Sequence, residues 1–294
     1  PNVSVRPIEE IKIGDYDLAI LHFDENVLAT ENTNGVLGSD WGINFKYFRE
    51  NLNIPKIAIC HETPQFYGQY TNQFIDARDL KVIEKAREDI VEYAGDMLTI
   101  CNSYQAQREW GFRNSNVIWH GFDPTEFPPA YYNKGILTLG RAMKERPHYR
   151  GYFFFQQVFK DFPQEYAPEH LFIPNPHFPY ERDTNPYAHA KFKNYIDEIR
   201  KYSIYFNPTI RSPMPRSRGE AMICGLVTVS ANNHDVELFI KNGVNGFYSN
   251  DYEECKEYLL YLIKNPEVAR KVGQAGRLLA MDLFNNDRYL KVWE

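Results

Sequence analysis

The sequence predicts an α/β protein of two domains, each built on a parallel sheet covered by helices on both faces. Three observations carry this. Short, continuous apolar runs alternate with longer segments of helical periodicity from one end of the chain to the other. The alternation restarts after Asp123–Asn133, a stretch rich in Pro and Tyr whose lack of periodicity marks a linker. The chain has 294 residues and 43% hydrophobic content, enough for two cores of ordinary size. The domains are accordingly set at residues 1–128 and 129–294.

In the first half, Tyr16–Phe23 reads as a buried strand, Lys56–Cys60 as a second entered through Pro55, Met97–Cys101 as a third and Asn116–Trp119 as a fourth. Between them, Leu80–Ala94 places Val82, Ile83, Ala86, Ile90 and Val91 at helical spacing. Ser103–Trp110 reads as a short helix capped by Asn102 or Ser103. In the second half, Gly135–Leu139, Leu171–Ile173, Ile204–Phe206 and Leu226–Val229 read as strands. Helices are expected over Tyr149–Phe159, about His189–Tyr202, Arg218–Cys224, Asp235–Lys241, Tyr252–Ile263 and Pro266–Leu283. In such sheets ligands gather at the carboxyl ends of the strands, so the chemistry is sought there.

Composition narrows the function classes. A net charge of -6 and a pI near 5.8 provide no basic field for a phosphate backbone, so nucleic acid is not an expected partner. Cys60, Cys101, Cys224 and Cys255 sit in or beside apolar runs with no CxxC pair, which reads as buried, reduced thiols in a cytoplasmic protein. No apolar run reaches the roughly 20 residues needed to span a bilayer, and no signal peptide opens the chain. The chain starts at Pro1 rather than Met and is read as a trimmed piece, with something upstream. Aromatics reach 15%, and core filling is favoured over exposed stacking rings. Glycine-rich dinucleotide, Walker-type, His-Glu-x-x-His and Gly-x-Ser-x-Gly signatures are absent from the sequence.

What remains is a set of charged residues at strand ends. After the strand ending at Leu139 come Gly140, Arg141 and Arg146. Guanidinium groups at a strand end suit a diphosphate through paired, charge-assisted hydrogen bonds, although two loop arginines alone are more simply read as solvated. Gly219-Glu220-Ala221-Met222-Ile223-Cys224-Gly225 then reads as a helix with a Gly C-cap running into a buried strand. Glu220 in its first turn favours the helix dipole, and a carboxylate at that place can also accept both hydroxyls of a ribose.

Residues 135–284 resemble the C-terminal domain of a GT-B-fold glycosyltransferase, close to the retaining family 4. The Gly-Arg loop, Glu-Ala-Met-x-x-Gly, Asn242-Gly243-Val244-Asn245-Gly246-Phe247 and the helix from Asn265-Pro266-Glu267 to Gly276-Arg277 occur in the family's order. In the first half, Ile59-Cys60-His61-Glu62, Cys101-Asn102-Ser103 and Val117-Ile118-Trp119-His120-Gly121-Phe122-Asp123 are similar to family segments. The resemblance implies two Rossmann-like domains facing a central cleft, with the first domain abbreviated. It implies transfer of a sugar from a UDP- or GDP-linked donor to a glycan, lipid or protein acceptor, with retention, without a metal or other cofactor. Lipid acceptors would bring peripheral membrane contact. Arg141 and Arg146 would hold the donor diphosphate and stabilise the leaving group, Gly140 and Glu220 would complete the nucleotide site, and His61 would face the donor sugar or acceptor.

One departure stands beside these matches. Ser212 replaces a family glutamate that contacts the donor sugar, and Pro213 and Pro215 cannot donate the backbone hydrogen bonds of the usual Gly-rich loop. The resemblance leaves Arg211, Arg216 and Arg218 to compensate with side-chain charge. Two alternatives are carried: a nucleotide-sugar 2-epimerase on the same fold, and a non-catalytic binding subunit. The oligomeric state is left open.

Overall fold

Among the described residues every ladder is parallel, as continuous apolar strands joined by helices require. The computed structural model describes residues 16–24, 27–28, 40–64, 80–140, 143–144, 147–171 and 186–294. The chain divides into two units, Pro1–Ile118 and Trp119–Glu294.

The first unit carries β1 (Ala19–Phe23), α1 (Asp40–Asn51), β2 (Lys56–Cys60), α2 (Leu80–Ala94), β3 (Leu98–Cys101), α3 (Tyr104–Trp110) and β4 (Ser115–Val117). The strands lie in the order β1-β2-β3-β4. Small residues at the sheet centre, Ala58, Cys60 and Cys101, let helices approach closely, and Ile90 and Ala94 of α2 pack into the same core. Trp110 is wholly buried, stacks on Phe112 at 5.3 Å and donates its indole N–H to the Glu62 carbonyl at 2.7 Å. Of the two expected caps of α3, the structure selects Ser103, whose hydroxyl accepts from the Ala106 amide at 2.9 Å. The sequence reading had no helix over α1, whose apolar residues show little one-sided periodicity.

The second unit carries β5 (Lys134–Leu139), α4 (Pro147–Arg150), α5 (Tyr152–Val158), β6 (Glu169–Leu171), α6 (Pro186–Ile199), β7 (Tyr202–Asn207), α7 (Arg216–Cys224) and β8 (Val227–Ser230), then α8 (Val236–Phe239), β9 (Phe247–Tyr248), α9 (Tyr252–Lys264), α10 (Pro266–Leu283) and α11 (Asn286–Trp293). The sheet order is β6-β5-β7-β8-β9. From β5 the chain moves outward to β6 and then returns to the other side as β7. The boundary between β5 and β7 is therefore the topological switch point, and the crevice at their carboxyl ends is the place a ligand is expected.

Three sequence expectations are corrected here, and a fourth lies partly outside the described residues. The helix expected over Tyr149–Phe159 is two pieces, α4 and α5, broken at Gly151 in the left-handed region (φ 72°). The strand expected over Leu171–Ile173 is present as β6, with Phe172 and Ile173 outside the described residues. The helix containing Glu220 starts at Arg216, so Glu220 stands in the second turn and the dipole argument for its position lapses. Finally, Asp123–Asn133 is not a free linker but a strap on the second unit. Its Phe127 is 1% exposed, its Ala130 amide donates to the Cys224 carbonyl at 2.8 Å, and its Tyr131 amide donates to the Arg200 carbonyl at 2.6 Å. The prolines deny it a ladder, so its amides are satisfied by carbonyls at the ends of α7 and α6, and it is held by its buried rings.

Among the described residues, many of the aromatic rings pack into these cores. Phe154, Phe155 and Phe159 surround Phe206, while Trp119 and Phe239 each meet Phe284 edge-on at 5.9 and 5.4 Å. The motif glycines earn their places sterically: a Cβ on Gly273 of α10 would lie 2.3 Å from the Gly225 carbonyl oxygen, so only glycine lets α10 pack on the turn after α7. All four cysteines are buried thiols, and burial pushes Cys101, Cys224 and Cys255 up to about 12.

Candidate functional site

At the carboxyl edge of the second unit's sheet, three loops converge: the one opened by Gly140 after β5, residues 208–215 after β7, and residues 231–235 after β8. They are tied together. The Ile210 and Arg211 amides donate to the Tyr149 carbonyl at 3.3 and 3.1 Å, which fastens α4 to the loop after β7. Asn233 Nδ2 donates to the Ser212 carbonyl at 3.2 Å, which fastens the loop after β8 to the same segment. His170, the middle residue of β6, contacts the Gly140 carbonyl through Nε2 at 3.0 Å.

Glu220 lies beneath this edge and is 1% exposed. One carboxylate oxygen accepts from the Tyr195 hydroxyl of α6 at 2.5 Å, and the other lies 3.7 Å from Arg216 Nε. Burial, then the Glu220 charge, drives the Tyr195 phenol well above its ordinary range, so it stays a donor. Arg216 is exposed and lies over the Phe122 ring at 4.8 Å. Its neighbour Ser217 shares a 2.8 Å hydrogen bond with the buried Tyr205 hydroxyl.

Arg218 is placed differently. Its guanidinium is 1% exposed and donates to Asn233 Oδ1 at 2.7 Å and to the carbonyls of Asn233 and His234 at 3.3 Å each, with Met214 Sδ also at 3.3 Å. Burial pulls its pKa down to about 10. The side chain is thus engaged with the 231–235 loop, where His234 and Asp235 both hold left-handed backbone (φ 41° and 67°) and Trp119 Nε1 donates to Asp235 at 3.0 Å. Met214, flanked by two prolines, is also left-handed (φ 43°) and 6% exposed.

The structure brings Gly140, Arg216, Arg218 and Glu220 to one edge of the second unit. Arg141 and Arg146 lie outside the described residues. It also adds a residue that sequence reasoning passed over. Arg150 ends α4, lies 5.0 Å over the Tyr149 ring, and is near enough for its charge to act on the Tyr205 phenol. The signal was the Arg150-Gly151 pair inside a presumed continuous helix, since a glycine there marks a break in the helix.

In the first unit, His61 follows β2 directly and its amide donates to the Phe23 carbonyl at 3.1 Å. Its Nε2 lies 2.7 Å from Nδ1 of His22 on β1, with the two rings edge to edge and nearly coplanar, their centroids 5.0 Å apart at an interplanar angle of 17°. Burial, and then the His22 charge, hold His61 down at about 4, and burial lowers His22 as well. Because the folded pKa of His61 lies below its unfolded value, its contribution to stability is complete above pH 6.5 and is lost as pH falls from 6.5 towards 4. Thermal unfolding of a His61→Asn variant, compared with the parent protein at pH 7 and pH 5, is expected to show a shallower loss of melting temperature on acidification. Among the described residues, no three His, Cys, Asp or Glu side chains come together as a metal-binding group.

Two α/β units with all-parallel sheets, the second carrying a charged site at its switch point, define a protein of the GT-B glycosyltransferase fold. The chain belongs to the glycosyl transferase-like family, whose model matches residues 141–291, just over half of its length. It is similar in structure to sucrose-phosphate synthase from Thermosynechococcus elongatus, at 14% identity and a TM-score of 0.64 over 95% of this chain and 72% of that one. It is also similar to HepE from Anabaena solved with UDP and glucose, at 15% identity and a TM-score of 0.59 over 86% of this chain and 73% of that one. The likeness to TarM reaches a TM-score of 0.63 at 16% identity over 93% of this chain, which spans 53% of TarM. No curated protein matches the chain in sequence. No helix among the described residues is long and apolar enough to cross a membrane.

Proposed function

We propose that this glycosyltransferase moves a sugar from a UDP- or GDP-linked donor to a glycan, lipid or protein hydroxyl, and that the second unit holds the donor's nucleotide. The observation that carries the reading is the enclosed Glu220 carboxylate at the carboxyl edge of a parallel sheet, with arginines around it. A carboxylate there suits the paired hydroxyls of a ribose. Arg216, whose exposed side chain is 3.7 Å from Glu220, would turn outward to the diphosphate and uncover the carboxylate oxygen as it does so.

In this reading Arg150 joins Arg141 and Arg146 as a diphosphate residue, with the Gly140 backbone allowing close approach. The α7 amino terminus adds its dipole, and Pro215 at the N-cap has no side-chain oxygen to compete for the first amides. When the bond from anomeric carbon to phosphate breaks, negative charge develops on the departing diphosphate, where fixed guanidinium groups stabilise it without reorganising. Metal-independent transfer with retention belongs to the same proposal, as does action in the cytoplasm, where the four thiols remain reduced. Arg218 serves the site by fixing the 231–235 loop. His61 of the first unit, neutral at pH 7, offers a hydrogen bond to a sugar hydroxyl rather than a charge to a phosphate.

The complexes of HepE with UDP-glucose and of TarM with UDP support a uridine nucleotide as the first ligand to test. Isothermal titration with UDP, GDP and UDP-glucose is expected to give micromolar to millimolar binding for at least one of them. Failure of every nucleoside diphosphate to bind the folded protein would end this reading.

A further inference from the structure

The two oxygens of the Glu220 carboxylate meet surroundings that differ sharply in exposure. On α6, Phe192, Tyr195, Ile196 and Ile199 are buried while Lys193 and Asn194 are exposed, so this helix turns Tyr195 into the core of the second unit. The Tyr195 side chain is 3% exposed, and its hydroxyl donates to Glu220 Oε2 at 2.5 Å. Glu220 Oε1 lies instead 3.7 Å from Arg216 Nε, and the Arg216 side chain is 45% exposed. Oε2 thus faces the core, and Oε1 faces the solvent-reaching start of α7. A second buried phenol, Tyr205 of β7, feels the Glu220 charge as well, but its hydroxyl shares its 2.8 Å bond with Ser217.

We infer that Tyr195 is a positioning residue for the donor nucleotide: by holding Glu220 Oε2 in the core, it presents Oε1 to the hydroxyls of the ribose. The inference rests on the proposed role of Glu220 towards that ribose. A glutamate side chain has three rotatable bonds, and ordering them at the moment of binding costs affinity. A hydrogen bond from a buried phenol on another helix sets the carboxylate plane before the ligand arrives, so that cost is already met by the fold. The direction of this bond is fixed, because burial, then the Glu220 charge, keeps the proton on the Tyr195 oxygen. An acceptor oxygen has two lone pairs, so Oε1 by itself can accept from both hydroxyls of a ribose. Tyr195 is enclosed and touches no ligand; it acts only through the carboxylate that it aims.

Calorimetric titration of the full chain with UDP, 2′-deoxy-UDP and 3′-deoxy-UDP tests this. In the parent protein at least one deoxy ligand is expected to bind about tenfold more weakly than UDP, through loss of a charge-assisted hydrogen bond. Tyr195→Phe keeps the ring and its packing but releases Oε2. In that variant UDP should weaken about fivefold while the discriminated deoxy ligand keeps its parent affinity, so the discrimination falls to about twofold. Tyr205→Phe removes the neighbouring hydroxyl instead and should leave the discrimination at about tenfold. A merely structural role for Tyr195 weakens every ligand alike and leaves the ratio where it was. An unchanged ratio in Tyr195→Phe would therefore overturn the inference, whatever happens to the UDP affinity itself. Ring-fluorinated tyrosine at position 195 supplies a second readout that keeps the hydroxyl and the fold. Its fluorine NMR resonance is expected to shift on saturation with UDP and to shift less with the discriminated deoxy ligand. A resonance unmoved by bound UDP would overturn the inference even if Tyr195→Phe did not fold. A parent protein that binds all three ligands equally would instead bring down the ribose role of Glu220, and the inference with it, a result distinct from either readout on Tyr195.

Discussion

Glu220→Gln is expected to weaken UDP binding about tenfold while leaving the melting temperature within a few degrees of the parent protein. The ground-state geometry explains why the two effects separate. Glutamine keeps an oxygen for the Tyr195 hydroxyl, now 2.5 Å from the carboxylate, so no buried donor is orphaned. What is lost is the negative charge. Hydrogen bonds from ribose hydroxyls to a carboxylate are worth about 1.5–3 kcal/mol, against about half that for a neutral acceptor, and the difference is roughly one decade in Kd. Glu220→Ala should show the same loss of affinity with a further stability loss of about 1–3 kcal/mol, since it removes the partner of a fully enclosed phenol. Calorimetry with UDP and a thermal melt on each variant decide the matter. Unchanged UDP affinity in Glu220→Gln would remove Glu220 from the site.

Gly151→Ala should be the most damaging single methyl in the second unit. Gly151 holds φ 72°, where an alanine is strained by about 1–2 kcal/mol. The added Cβ would also lie 1.7 Å from the Pro208 carbonyl oxygen. That atom is backbone, so relief requires moving the whole 208–211 segment and breaking the bonds from Ile210 and Arg211 to the Tyr149 carbonyl. A loss of about 3–5 kcal/mol is expected, or a fall in melting temperature on the order of 10 °C for a unit of this size. UDP binding should fail in parallel, because the same segment carries the loop after β7 and orients Arg150. Gly135→Ala is the control: nothing lies within 4 Å of its Cβ position, and its melting temperature should barely change. Equal melting temperatures for the two alanine variants would show that the contact between α4 and the loop after β7 is not structural.

The contrast between these glycines shows how unevenly the site could be read from sequence. Gly140, Glu220 and the turn at Gly225 sit at places where a strand ends or a helix is capped, and both leave strong local signatures. His61 was visible for the same reason, standing immediately after an apolar run. Its partner His22 was hidden inside a run that reads as one buried strand, because the parity that puts it on the open face becomes meaningful only once β2 is paired beside it. Arg218 looked like a third basic residue among equals. Only the packed loop after β8 shows that its guanidinium is turned inward to Asn233 and His234 while Arg216, two residues earlier, faces out.

By itself, the sequence determined the α/β class, most of the strand and helix positions and the edge of the second sheet where charge gathers. Periodicity and capping are properties of a few consecutive residues, so they survive without the rest of the chain. The tertiary structure alone decided the strand order that creates the switch point between β5 and β7, and the conversion of the Asp123–Asn133 stretch into a strap. It also decided the break at Gly151 and which arginines are enclosed. Each of these depends on an atom distant in sequence, the Pro208 oxygen for Gly151 and the Cys224 carbonyl for Ala130, and no local pattern records such a meeting.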